Sequence, residues 1–590
     1  MHSRWLTNRT NPEYVRYLSQ SASISPVFAQ VLINRGLKTA ADINDFLCPG
    51  LTHFSDPYEL PSMRTAVERV KAALQRKERI LVHGDYDTDG LTATAILLQA
   101  LKRIGLDVHY FVPNRILHGY GFHNPGVDMA KKLGASLIIT VDCGITSLET
   151  VSCANKAGID VIITDHHEPL KGEGQGAGGK GQKELPHRSS LITHQLFKLP
   201  EAIAVVNPKL GDCNSRLSNL SGAGVAFKFA EALAMEGGLP FSRDDLLPLL
   251  DLAALGTLAD VVPLTGENRA ILKEGLKFIH DGSRPGIRAL KEVSGLNGKE
   301  TRAGRLAYTL VPRINAAGRI ADARDVVKLL LSEIEEESQE LSSWLDSLNS
   351  RRQQIEEEVY QKALERLRET DMTSAIVLAG EGWHQGVLGI VASKIAEKFY
   401  RPTFIFSVEN GVAKGSARSV PSFDICKGLA ESSRLLLSFG GHKQAAGIKL
   451  KVEDLPAFEK AIKEIVQDSL DASDLQPALE IDANIRLSEV TPELVQELSL
   501  LEPFGFGNPE PLLGSKALAV VSPRIVGNKH LKMRLKRESL SLDAIGFDMG
   551  GLLEELQDSA VVDAVFTPAI NDWNGGRCLQ LILKAVRPSA

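Results

Sequence analysis

The chain has 590 residues, 43% of them hydrophobic and 24% charged, which is ordinary for a soluble protein but too long for one core, so two to four domains are expected. Its six cysteines (Cys48, Cys143, Cys153, Cys213, Cys426, Cys578) never form a CxxC pair, which argues against a zinc ribbon and a disulfide framework and fits a reducing cytoplasm. The net charge of −6 lacks the basic excess usual for nucleic-acid binders, so any such role must rest on local grooves and on the chemistry of a site.

The N-terminal stretch MHSRWLTNRTNPEY has no apolar core of a signal peptide, and none is expected. Residues 1–60 are read as an extension packing on a catalytic domain over 61–330. Within that domain strand and helix patterns alternate. Ile80–Val82 is a short apolar run ending in HGDYDTDG, followed by the helical pattern TATAILLQALKRIG. A strand over Asp107–Pro113, a helix over Pro125–Leu133, the strand SLIITVDCG, the helix TSLETVSCANKAG and the strand DVIITDHHE come next, then the strand AIAVVNP. Such alternation predicts a doubly wound parallel sheet with helices on both faces. Between the last two strands, the Gly- and Lys-rich KGEGQGAGGKGQK cannot bury apolar area and reads as a flexible insertion over 170–198. The most apolar stretch, Leu246–Leu264, holds Asp251, Asp260 and two prolines, which excludes a membrane span.

From Asp322 the pattern is helical. Ser332 with Glu335 fits a capping box, and Leu341, Leu345, Leu348, Ile355 and Val359 recur at helical spacing, so a connector helix is expected over 331–370, reaching Glu369. A second α/β domain is expected over 371–465. Over 466–590 the pattern turns to short strands, including HLKMRL, LDAIGF, AVFTPAI and LQLILKAV, which predicts a small β-barrel.

The polar signals fall at matching places. HGDYD, DCG and DHH each follow an apolar β-run, and ligands of doubly wound sheets bind outside the carboxyl ends of the strands. His83, Asp85, Asp87, Asp89, Asp142, Asp165, His166 and His167 should therefore converge on one rim. One acidic turn there is commonly a helix N-cap. So many acids at one edge would repel without cations. Oxygen-rich ligation with some imidazole suits Mn²⁺ or Mg²⁺ rather than zinc. Cys143 is read as core packing.

These segments resemble the DHH phosphoesterase superfamily, whose signature triplet is Asp165-His166-His167 here. Further strings resemble the RecJ family of single-strand-specific exonucleases: HGDYDTDG, PNRILHGYG, VDCG, ALGTLADVVPL, PRINAAGR, GEGWHQGVLGIVASKIAEKFYRP, GSARS, FGGHKQAAG and LEPFGFGNPEP. The resemblance covers roughly residues 30 to 520. It implies a DHH catalytic domain, a long connector helix, a second α/β domain of the DHHA1 type and a C-terminal OB-like barrel.

The resemblance implies that His83, Asp87, Asp89, Asp142, His166 and Asp260 hold two divalent ions, Mn²⁺ or Mg²⁺, with Asp142 bridging. Asp85 and Asp165 would stand behind these ligands, and His167 would meet the reacting phosphate. Asp251 rivals Asp260, and the spacing of GTLAD favours Asp260. In the DHHA1-like domain the glycines of GSARS and FGGH would act as turns letting backbone N–H groups approach a phosphate, beside Ser416, Arg418 and His442. For His442 a core role stands equally. Arg313, Asn315 and Arg319 either bind the strand or tie domains together. Arg115 suits a phosphate and Tyr120 a stacked base. Arg115, Ser416 and Arg418 are expected to hold a 5′-phosphate. Lys529, His530, Lys532, Arg534, Trp573 and Arg577 are candidate strand contacts on the barrel.

The implied activity is 5′→3′ exonucleolysis of single-stranded DNA to nucleoside 5′-monophosphates in repair and recombination. The implied setting is a cytoplasmic monomer working beside single-strand-binding protein and a RecQ helicase. A small-substrate DHH phosphatase or nanoRNase would be shorter and lack the barrel. An inactive DNA-binding scaffold would have lost ligands, and this chain keeps them all.

Overall fold

The computed structural model describes residues 3–8, 10–171, 197–211, 213–368, 372–556, 560–571 and 577–589. The chain falls into two units, residues 50–476 and residues 1–49 together with 477–590.

In the larger unit the short apolar runs form five parallel strands in the order Asp107–Phe111, Arg79–His83, Leu137–Val141, Asp160–Thr164, Ala204–Val206. Alternate residues of these strands feed different cores. Ile80, Val82, Ile139, Val141 and Ile162 pack on one side, with the helices Met63–Arg76, Thr88–Arg103 and Gly222–Met235. Leu81, Ile138, Val161 and Ile163 pack on the other, with Asn124–Leu133 and Leu148–Lys156. Apolar residues on both faces make the inner strands read as continuous hydrophobic runs, as buried parallel strands do, while the edge strand Asp107–Phe111 carries Asp107 and His109. The chain winds outward from Arg79–His83 in one direction and resumes at Leu137–Val141 in the other. The ends of these two strands therefore flank a topological switch point.

Helices from Leu250–Ala259 to Arg324–Leu331 extend the first core. The connector is a 33-residue helix, Glu335–Leu367, whose N-cap is Ile334 rather than a Ser332–Glu335 box. Ser332 instead accepts from the Ile334 N–H and donates to Glu337, because the helix starts later than the sequence spacing suggested.

A second, mixed sheet follows in the order Ser438–His442, Ala445–Lys451, Val412–Arg418, Thr403–Glu409, Ile376–Glu381, with only the last pair parallel. GSARS and FGGH are thus strand segments and not turns. Gly440, Gly447 and Ser416 stand in register across three neighbouring strands and leave a shallow floor without large side chains.

In the smaller unit, Leu513–Val526, His530–Arg537, Leu540–Gly546, Cys578–Pro588 and Val561–Asn571 close into a barrel, the last pairing back on the first. Of the N-terminal residues 1–60, only the last part meets the catalytic domain: Leu60 is buried in its core with Leu51, Phe54 and Tyr58 packed against it, while residues 1–49 belong to the smaller unit. Leu18, Phe28, Val31 and Leu32 are buried in one core with Leu513, Leu531, Phe566 and Leu581 of the barrel. Arg4–Thr7 pairs in parallel with Ala478–Ile481. Residues 1–49 carry no alternating strand–helix signal of their own, so nothing local told which core their apolar faces would join.

The insertion expected over 170–198 is bracketed by a two-residue pairing of Leu170–Lys171 with Phe197–Lys198. Its central residues lie outside the described residues, as do Glu369 and Trp573. No described helix is long and apolar enough to cross a membrane.

Candidate metal centre and strand cleft

Asp87 is the N-cap of Thr88–Arg103 and accepts from the Gly90 N–H, while Asp89 sits in the first turn of that helix. The Asp89 carboxylate is fixed by the Gly222 and Ala223 N–H groups, which donate at 2.6 and 2.9 Å from the start of Gly222–Met235. Asp142 follows the Leu137–Val141 strand with φ 59°, a left-handed backbone that few non-glycine residues adopt. A β-carbon at Gly222 would overlap the Asp142 carboxylate, so that helix start must be glycine. Asp165 is fully buried and accepts from the N–H groups of Ile145, His166 and His167, and from His167 Nδ1 at 2.8 Å.

Among the described residues these elements build three overlapping sets of potential ligand atoms: Asp85, Asp87 and Asp142; Asp89, His166 and Asp260; and Asp142, His166 and His167, each with its atoms within 4.8 Å of one another. His166 Nε2 joins the sets, lying 3.1 Å from Asp142 Oδ1 and 3.5 Å from Asp260 Oδ2. Apart from these His166 contacts, the buried oxygens Asp85 Oδ1, Asp142 Oδ1 and Asp260 Oδ2 have no hydrogen-bond partner among the described residues. Burial, with the charge of the neighbouring acids, pushes the carboxyls of Asp85, Asp89 and Asp142 well above their ordinary range. Burial, with His167 nearby, lowers His166 to about 4, which leaves it the neutral imidazole that ligation requires. Oxygen atoms that repel one another and lack donors fit a hard divalent cation.

His167 is held differently. Burial alone would lower it. The hydrogen bond and charge of Asp165, with Asp260 and Asp87, raise it to about 9. The same pairing lowers Asp165 to about 2 against the effect of burial. Tyr120 Oη lies 2.9 Å from His167 Nδ1, and the His442 ring stacks 6.1 Å from that of His167.

These groups line a cleft of about 1010 Å³ whose opposite wall is the second sheet, with Arg115, Ser416, Arg418, Gly440, His442 and Gly447 among its residues. Arg418 Nη1 donates to Ser416 Oγ at 3.0 Å and to the Ala417 carbonyl at 2.8 Å. Arg115 lies over the Tyr86 ring at 5.1 Å. Arg319 donates to the Gly386 carbonyl at 3.1 Å; burial, with Arg115, Arg352 and Arg418, lowers it to about 10. Burial and Arg115 likewise lower Arg418. Guanidiniums that depress one another in this way make a wall suited to an anion.

Several residues singled out in the sequence stand elsewhere. Among the described residues His83 belongs to none of the ligand sets and its buried Nε2 has no hydrogen-bond partner; Cys143 Sγ lies 3.7 Å from Nδ1, and burial lowers it to about 3. Asp85 stands among the potential ligands rather than behind them. Arg313 pairs with Asp346 of the connector helix at 2.8 Å, and Asn315 Oδ1 accepts from Thr88 N and Oγ1 at 2.9 Å, so both tie helices together. Asp251 forms a two-pronged ion pair with Arg284 at 2.7 and 3.1 Å, which leaves Asp260 as the acid at the site. On the barrel, Lys529 pairs with Asp548 at 2.9 Å and Arg534 with Asp543 at 3.5 Å. Sequence reading missed Gly222 and Ala223. Their signal is the SGAG run in which Ser221 caps a helix, a pattern that marks a helix start without saying what its N–H groups will hold.

Three family profiles match the chain: "DHH family, N-terminal domain" over residues 79–177, "DHHA1 domain" over 355–468 and "RecJ OB domain" over 481–585. The single-stranded-DNA-specific exonuclease RecJ of Bacillus subtilis is 38% identical over 586 residues, spanning 98% of this chain and 70% of that protein. The crystal structure of RecJ from Thermus thermophilus with Mn²⁺ superposes with a TM-score of 0.82 at 33% identity, covering all of this chain and 80% of the other. The Mg²⁺ complex of that enzyme gives 0.76 at 31% identity, covering all of this chain and 79% of the other. With this identity sustained over nearly its whole length, and with matching DHH, DHHA1 and OB segments, the chain belongs to the RecJ family of exonucleases.

Proposed function

We propose that this chain is a metal-dependent exonuclease that removes nucleotides from the 5′ end of single-stranded DNA and releases nucleoside 5′-monophosphates. The observation that carries this reading is the group of overlapping ligand sets joined at His166 and Asp142, with unpartnered buried oxygens facing a cleft whose far wall is cationic. The site fits two Mn²⁺ or Mg²⁺ ions, one of which Asp85, Asp87 and Asp142 would hold and the other Asp89, His166 and Asp260. Bound there, such ions activate a water and stabilise charge on the leaving oxygen.

The protein's own groups do the rest. Asp165 fixes the His167 ring through Nδ1, which leaves Nε2 to meet the reacting phosphate and hold a proton for the leaving 3′ oxygen. Arg115, Ser416 and Arg418 hold the terminal 5′-phosphate, and the Gly440–Gly447 floor admits the strand without obstruction. Binding the 5′ phosphate beyond the metals supports 5′→3′ polarity, because the scissile linkage is then counted from that end. Cytoplasmic action as a monomer beside single-strand-binding protein and a RecQ helicase in repair and recombination is part of the same reading, and its support is the family alone.

Digestion of strands labelled at one end tests it. With Mn²⁺, a 5′ label should appear as mononucleotide at the earliest times, while a 3′ label should remain on progressively shorter strands. Early release of the 3′ label would overturn the polarity, and no digestion of either strand would overturn the activity.

A further inference from the structure

Tyr86 stands between two potential metal ligands, Asp85 and Asp87, in the turn that follows the strand Arg79–His83. It is 8% exposed and belongs to the main core, yet it also lines the cleft. The Arg115 guanidinium, another cleft group, lies over its ring at 5.1 Å from the ring centre.

The two partners are held unequally. Tyr86 is clamped by the helix Ala303–Ile320, which packs so closely that a β-carbon at Gly318 would lie 2.3 Å from the Tyr86 carbonyl oxygen. One turn earlier in that helix, Asn315 Oδ1 accepts from Thr88 N and Oγ1 at 2.9 Å and fixes the same turn from its other end. Arg115 is fixed at its backbone alone. Asn114 Oδ1 accepts from the Ile116 and Leu117 N–H groups at 3.0 and 3.2 Å, and the Arg115 carbonyl accepts from the Gly119 N–H at 3.2 Å. Among the described residues the Arg115 side chain has no ion pair and no hydrogen bond.

That side chain is set between opposite fields. Burial raises Asp85 and Asp87, and the Arg115 charge opposes the rise. Burial lowers Arg319 and Arg418, and the Arg115 charge adds to the fall. A guanidinium loose in this field would fold onto the carboxylates, since an Arg–carboxylate fork is the strongest contact open to it. The Tyr86 ring offers a competing surface, because an aromatic face attracts a guanidinium. Contact through the face also leaves the N–H groups able to donate elsewhere.

We infer that Tyr86 is a positioning residue, whose ring holds the Arg115 guanidinium off the metal-binding acids and in the cleft, where its N–H groups can meet the terminal 5′-phosphate. The inference rests on the reading above that assigns Arg115 to that phosphate. One substitution at Tyr86 should then disturb both phosphate selection and metal binding, and both through Arg115.

A double-substitution cycle with two readouts tests this. The first is the ratio of kcat/KM on a 5′-phosphorylated strand to that on the same strand with a 5′-hydroxyl. Tyr86→Leu should lower the ratio about ten-fold, within the span of a partly desolvated cation–π contact. Tyr86→Phe, which keeps the ring, should hold the ratio, and with Arg115→Ala already present Tyr86→Leu should lower it no further. A change of less than two-fold, or the same loss with and without Arg115, would overturn the positioning role. If Tyr86→Leu does not fold, Tyr86→Met takes its place in the cycle. The second readout is Mn²⁺ affinity by calorimetry without substrate. Tyr86→Leu should weaken it about ten-fold, the scale of one charge-assisted hydrogen bond from Arg115 to a ligand carboxylate, and adding Arg115→Ala should restore it. An unchanged affinity overturns the protection of the acids. An unaltered enzyme with no 5′-phosphate preference, or one whose preference survives Arg115→Ala, overturns the phosphate reading instead. The Mn²⁺ cycle then decides: a loss that Arg115→Ala reverses upholds the role of the ring, and a loss that it does not reverse overturns it.

Discussion

A carboxylate cluster with unpartnered oxygens is costly to fold without its cation, and that cost sets what single substitutions do. Asp142 belongs to two of the three ligand sets. Asp142→Ala should reduce hydrolysis below detection at saturating Mn²⁺ while raising the melting temperature of the metal-free protein, since a repelled buried charge is removed. Near-normal turnover would show that Asp142 is not a ligand. The pH dependence follows from the same groups. Asp85, Asp89 and Asp142 have folded pKa values raised above their unfolded ones, so the stability they contribute is present at low pH and is lost as pH rises. His167, raised to about 9, has the same sign; His83 and His166, lowered to about 3 and 4, oppose it, but only through the half of the unfolded histidine titration that lies above pH 6.5. The metal-free protein should therefore melt lower at pH 8 than at pH 6.5, and Mn²⁺ should reverse the order while releasing protons, measurable by calorimetry in buffers of different ionisation enthalpy. For the far wall, Arg418→Ala should cost about ten- to a hundred-fold on 5′-phosphorylated strands, at roughly 1.5–3 kcal/mol for a charge-assisted hydrogen bond. The loss on 5′-hydroxyl strands should be much smaller. An equal loss on both would move the 5′-phosphate site elsewhere.

Elements, not only side chains, carry the geometry of the site. The N-terminus of Gly222–Met235 holds Asp89 through two N–H groups, and its first residue leaves room for Asp142. Gly222→Ala should keep the fold yet push Asp142 aside, costing on the order of a hundred-fold in kcat, as displacements of about 1 Å do; unchanged kcat would mean that the helix start yields. At this scale the sequence was most readable. Period and punctuation located the strands of the catalytic sheet, because the inner strands are apolar on both faces and three of them end in the polar signals HGDYD, DCG and DHH. What could not be read was contact between segments distant in the chain. Asn315 was ambiguous until its bonds to Thr88 were seen, and His83 has the right residue type at the right strand end but faces Gly126 across a packed interior. Local pattern specifies where a side chain begins; packing against remote segments decides what it meets.

At the scale of the molecule, the smaller unit is assembled from both ends of the chain. Phe28 is fully buried in a core shared with barrel residues. Phe28→Ala should therefore destabilise residues 477–590 by about 3–5 kcal/mol, read from amide exchange in the barrel strands, and leave exchange in residues 79–206 unchanged. Protection lost equally in both regions would mean that the two units unfold as one.

That shared core also orders events on the ribosome. Residues 4–49 emerge before residues 50–476, while the barrel strands that share their core follow more than four hundred residues later, roughly 20–90 s at 5–20 residues per second. The amphipathic helices Pro12–Ala22 and Pro26–Asn34 must wait through that interval with Leu18, Phe28 and Leu32 uncovered, while the intervening catalytic unit folds. Nascent chains stalled within residues 50–476 should therefore recruit holding chaperones through the helices Pro12–Ala22 and Pro26–Asn34, and release them only once the barrel strand Cys578–Pro588 has cleared the exit tunnel.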